Sequence, residues 1–207
     1  MKYIDACFAV AGIASPIVLA TTAIIVASQR PDYSHVRNTL SELGTVGAPA
    51  AAWMNSAGII PAGFLVTASA LAICRASGRG PWSIAGGILL ALGGTCLAAS
   101  ALSPWRGASM DFSVLTNKLH LIFAMLGFVS ISIAPLFFGL HARRSVTLSS
   151  WFLPSVAAAI GTFVLGFWPI QGNHRGLFQR ASLATFYFWL STICMWILSR
   201  QTRPVSR

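Results

Sequence analysis

The chain has 207 residues, 56% of them hydrophobic and 9% charged, with a formal net charge of +10. That balance excludes an ordinary water-soluble domain, in which roughly a quarter of the residues carry charge. It also argues against nucleic acid as a partner: the basic residues stand at the ends of apolar runs, where membrane lipids are the natural counter-charge, and no RNA- or DNA-binding motif accompanies them.

Crossing a hydrocarbon core takes about 20 helical residues. Six runs are that long, near 6–27, 50–74, 82–102, 119–140, 151–170 and 181–198. They predict an all-α fold: an integral-membrane six-helix bundle, residues 1–207 forming a single six-span domain. The first run follows Lys2 and ends in small residues, as a secretory signal would. It is longer than a cleaved apolar segment of about 7–15 residues and no small-x-small site closes it, so it reads as a retained helix.

Six spans put both termini on one side. Lys2, Arg75, Arg79, Arg143, Arg144, Arg200, Arg203 and Arg207 make eight basic residues there, against six opposite: Arg30, Arg37, Arg106, Lys118, Arg175 and Arg180. The excess places the termini in the cytoplasm. Asp32, Glu42, Asp111, His35, His120 and His174 then all lie on the extracytoplasmic side.

Within the spans, Gly87, Ala91, Gly94 and Ala98 form a small-residue stripe suited to close helix contact. Pro16, Pro61, Pro135, Pro154 and Pro169 each remove a backbone donor, bending a helix or shaping the bundle. Cys7, Cys74, Cys96 and Cys194 fall in separate runs without a CxxC pair, giving neither a disulfide framework nor a thiolate metal site.

Between the first two spans lies Tyr33–Gly44, YSHVRNTLSELG. At 100° per residue Val36, Leu40 and Leu43 share a face, with His35, Thr39 and Glu42 beside it and Arg37 and Ser41 on another side. This predicts a short interfacial helix ended by Gly44, with Pro49 as a stop. The third loop adds Pro104, Asp111, Lys118 and His120, and the fifth adds Asn173, His174, Arg175 and Arg180. His120 and Arg180 stand at span entrances, where a charge needs a partner, and Glu42 and Asp111 are the nearest candidates. A shared pocket follows.

The succession from Tyr33 through Ser41-Glu42-Leu43-Gly44, with Gly47-Ala48-Pro49 and Met54-Asn55, resembles a family of prokaryotic membrane proteins catalogued as domain of unknown function 998. Pro104, Asp111 and His120 are similar to its proline, aspartate and histidine around the fourth helix, although here Trp105–Met110 separate the first two. Gly176-Leu177-Phe178-Gln179-Arg180 is similar to its Gly-Leu-x-x-Arg signature. The resemblance implies a six-helix membrane fold in a bacterial inner membrane and selects Ser41, Glu42, His120 and Arg180. It implies no activity.

Two functional readings follow. In the first, the chain is a hydrolase or transferase for a lipid or lipid-linked substrate: Ser41 is nucleophile or oxyanion donor, His120 the base, Asp111 or Glu42 orients the imidazole, and Arg180 holds a phosphate or carboxylate, with Arg37, His35 and His174 as further binding groups. No GxSxG elbow supports it. A variant sets zinc on His35, His120 and His174, although neither HExxH nor HxxxH occurs, so no metal ligand and no cofactor is assigned. In the second, the charged ring is structural and the chain is a binding, scaffold or transport-related protein, through pairs such as Glu42–Arg180 and Asp111–Lys118. The substrate, the reaction and the oligomeric state are not encoded in any motif.

Overall fold

The computed structural model describes residues 2–107, 111–167 and 172–201. The long helices are α1 (Lys2–Ala27), α4 (Ile60–Ser77), α5 (Pro81–Leu102), α6 (Leu115–Arg143), α7 (Phe152–Phe167) and α8 (Arg175–Gln201). Two short pieces, α2 (Leu40–Leu43) and α3 (Ala51–Trp53), lie between α1 and α4, and a π-helical segment, Met54–Ile59, joins α3 to α4. With α3 and the π segment counted into the second, six helices among the described residues are long and apolar enough to cross a membrane. No strand occurs among the described residues. Several helices run past the apolar stretches, as α6 does from Leu115 to Arg143. Pro169 and the end of the fifth apolar run, 168–170, lie outside the described residues, as do Arg203 and Arg207.

Each long helix packs on the next in sequence, and α8 returns to α1, closing a ring. The ring is apolar outward: Ile17, Ile24, Phe64, Ile88 and Phe188 are exposed, while Ser15, Ser69, Ser130, Ser155 and Thr162 are buried. Small residues bring helices close where lipid offers no hydrophobic drive between them. The Gly87–Ala98 stripe faces α4: a methyl on Gly94 would strike the Gly63 carbonyl and Thr67, and one on Gly87 would strike Cys74.

At the end of the termini, Asp5 pairs with Arg75 at 3.1 Å, and His141 Nε2 lies 2.7 Å from the Ser77 carbonyl. The opposite end gathers the first, third and fifth loops. There the interfacial helix is shorter than its periodicity suggests, for residues 35–38 are in turns and helix begins only at Leu40. The reason is Thr39, held extended at φ −74° and ψ 160°, whose N–H and hydroxyl both donate to Glu42 Oε1 at 2.8 Å. This is the reach-back half of a capping box, and it fixes where the helix starts. Gly44 ends the helix as expected. Leu43 is buried while Val36 is exposed, so the face was split by the turn.

Candidate functional site

The first and fifth loops meet mainly through hydrogen bonds to backbone, with one ion pair beside them. Arg180, in the first turns of α8, donates from Nη1 to the carbonyls of His35 and Asn38 at 2.8 Å each and of Gly176 at 2.9 Å. Its Nη2 donates to the Tyr33 hydroxyl, which donates to the Thr39 carbonyl at 2.9 Å. Leu177 N–H donates to the Val36 carbonyl at 2.9 Å, and Gln179 Oε1 accepts from Leu40 N–H at 2.8 Å. The loop thus lies directly on the start of α8. Gly176 permits this, since a Cβ there would fall within 3 Å of the Asn38 and His35 carbonyl oxygens.

Glu42 pairs with Arg175 at 3.2 Å, not with Arg180, and accepts from Asn38 Nδ2 at 2.7 Å. Burial alone would raise its pKa. The hydrogen bonds from Thr39 and Asn38 and the charge of Arg175 outweigh burial and hold it below the usual glutamate value. Burial raises the Tyr33 phenol despite the opposing Arg180 and Arg30 charges. His35 is lowered, first by burial and then by Arg180.

The third loop joins the others by an isolated bridge between Val46 and Arg106, with Val46 N–H donating to Trp105 O at 2.8 Å. Its own shape is set by Asn117, fully buried, which accepts from Arg106 N–H at 2.7 Å and donates to the Arg106 and Asp111 carbonyls at 3.0 Å. Asp111 is exposed and accepts from the N–H and hydroxyl of Ser113 at 2.8 and 2.7 Å, which hold its carboxyl below the usual aspartate value. It orients no imidazole and makes no ion pair with Lys118 among the described residues.

His120 is 8% exposed. Its Nδ1 faces the Ser100 carbonyl at 2.9 Å and the Ser103 carbonyl at 3.2 Å, and its ring stands edge-on to Trp105. Two carbonyls can only accept, so Nδ1 donates to them, and Nε2 is the ring nitrogen left without a protein partner among the described residues. The sequence suggests Glu42 or Asp111 as its partner; instead backbone carbonyls, which have no sequence signature, hold the ring.

His120 and Ser41 line one cavity of about 100 Å³ inside the ring of helices. Gln179 and Tyr187 add polar atoms, while Leu97, Phe128 and Phe186 are among its apolar walls. Ser41 Oγ lies 3.2 Å from Thr39 Oγ1, which donates to Glu42, so the serine belongs to a hydroxyl–carboxylate chain at the cavity's lid. Arg180 and His35 instead line a neighbouring groove. Arg37 and His174 are exposed. Among the described residues no three His, Cys, Asp or Glu side chains gather as a metal set, so His35, His120 and His174 are not brought together.

Sequence reading missed Tyr33, Asn38, Asn117 and Gln179. Asn117 had a signal: it precedes His120 by three residues at the mouth of an apolar helix, on the same face. The parts of the loop motif now have physical roles. Glu42 caps α2, Leu43 is buried, and Gly44 leaves room for Asn55, whose Nδ2 donates to the Gly44 carbonyl at 2.9 Å.

No curated protein and no solved structure matches the chain. The family described as Protein of unknown function (DUF998) matches residues 13–196, nearly the whole ring of helices and all three loops at its polar end, and the chain belongs to that family.

Proposed function

We propose that the protein is a multi-pass enzyme of the bacterial inner membrane, a hydrolase or transferase acting on a lipid or lipid-linked ester in the extracytoplasmic half of its ring. The observation that carries this reading is that Ser41 and His120, on different elements, line one mostly apolar cavity, with His120 Nδ1 held by backbone carbonyls and Nε2 left without a protein partner among the described residues. The excess of basic residues at the end of the termini supports the orientation.

In the step proposed, Ser41 Oγ attacks the ester carbonyl and passes its proton to His120 Nε2. The C–O bond to the leaving alcohol breaks as that alcohol takes the proton. Water, or an acceptor hydroxyl in a transferase, then releases the acyl group by the same exchange. Glu42 and Arg180 have no part in the chemistry. Their contacts to backbone favour the second, structural reading for the charged ring itself, as the clamp that holds the cavity's lid.

A fluorophosphonate probe applied to the detergent-solubilised protein tests this by intact mass. One adduct on Ser41 is expected, lost in Ser41→Ala. No adduct on the wild type, or an adduct that persists in Ser41→Ala, would overturn the reading.

A further inference from the structure

A second space, of about 370 Å³, lies between α1 and α8. It falls in the range of small-molecule sites, about 300–1,000 Å³, whereas the inner cavity, at about 100 Å³, is much smaller. A lipid chain therefore fits the groove and not the cavity. The groove opens on the outside of the bundle, where Ala20, Ile24 and Ala184 are exposed. Leu19, Leu40, Leu183 and Tyr187 line both spaces, so four side chains form the partition between them.

One end of this apolar groove is cationic. Arg180 lines it, and no carboxylate lies within 4 Å of its guanidinium among the described residues: Asp32 pairs with Arg30 and Glu42 with Arg175. Its protein acceptors engage Nη1 and one N–H of Nη2, leaving Nε–H and the other Nη2–H without an acceptor among the described residues. Two free donors on a planar fork suit a phosphate, and a net cation against an apolar wall suits an anionic amphiphile. Arg37 is exposed on the first loop, which contributes His35 and Leu40 to the groove, and adds to a field that would repel a choline ammonium.

We infer that the α1–α8 groove binds one acyl chain of a phospholipid of net negative charge, its phosphate on Arg180, with its ester linkage beside the partition to the Ser41–His120 cavity. The chain enters sideways from the bilayer. This rests on the enzymatic reading only for what the lipid is used for; the binding itself does not require it.

Native mass spectrometry of the full chain, stripped of lipid and offered phosphatidylglycerol or phosphatidylcholine, tests the site. Retention of phosphatidylglycerol by about tenfold over phosphatidylcholine is expected: both offer the same phosphate to Arg180, and only the choline ammonium is repelled by the uncompensated cation. Because Arg180 also holds the loop, the deciding variant is Ala184→Trp, which fills the groove without touching that clamp and should abolish the preference. Equal retention of both lipids, or a preference unchanged in Ala184→Trp, overturns the proposal. Ser41→Ala should bind as the wild type does, so failure of the serine chemistry and failure of the lipid site give different results.

Discussion

Arg180 Nη1 lies 2.8 Å from the carbonyl oxygen of Asn38, 142 residues away in the chain. Through that contact and its neighbours a side chain on the last helix fixes the backbone of the first loop, and the loop carries Ser41 to the cavity. Replacing Arg180 by glutamine should therefore loosen the loop rather than only remove a charge. With hydrogen bonds to a charged donor contributing about 1.5–3 kcal/mol each, a loss of about 2–4 kcal/mol is expected in detergent thermal unfolding. Lysine should restore little, because a point charge cannot replace the planar fork.

Gly176→Ala places a methyl against the His35 and Asn38 carbonyls, which as backbone cannot yield. A cost of about 1–3 kcal/mol is expected, typical of overpacking. Faster hydrogen exchange at Leu177 and Leu40, whose N–H groups bond across the contact, would report it; unchanged exchange would mean the loop is held elsewhere.

Glu42 supplies a pH dependence of known sign. Its folded pKa lies below the usual 4.5, so its contribution is fully present above that value and is lost as pH falls through the folded pKa. His35, lowered from 6.5, acts in the same direction: its contribution is full above 6.5 and falls away as pH drops through its folded value. Exchange protection in the first loop should decline on acidification. Glu42→Gln should remove the lower step and leave the His35 step.

Asn117→Ala strips three hydrogen bonds from a buried site and leaves the Arg106 backbone groups unpaired. A loss of about 2–4 kcal/mol is expected, with the third loop the first region to open. Limited proteolysis near Arg106 should show it before any change at the end of the termini.

His120→Asn separates folding from chemistry. The asparagine amide can take the place of Nδ1 as donor to Ser100 and Ser103, yet it offers no lone pair where Nε2 stood. The thermal midpoint should fall little, while fluorophosphonate labelling of Ser41 should drop by about 10²–10⁴, the range for loss of a general base. Full labelling in this variant would remove His120 from the proposed step.

The six long helices and their lipid-facing character were legible because run length and apolar content report directly on the solvent. The Ser-Glu-Leu-Gly and Gly-Leu-x-x-Arg stretches lie where the first and fifth loops touch. Charge pairing misjudged how they meet: Glu42 was expected to face Arg180 or His120, and instead it caps its own helix and pairs with Arg175.

Composition and the spacing of apolar runs by themselves determined an all-helical chain suited to a bilayer, since hydrophobic burial is summed over long stretches and tolerates local detail. Only the tertiary structure decided which polar groups share a space. Arg180 and His120 are both held by backbone carbonyls, which every residue possesses, and whether those carbonyls come within reach depends on close approaches such as that at Gly176. Hydrogen bonding acts over about 3 Å, a distance set by packing and invisible to periodicity.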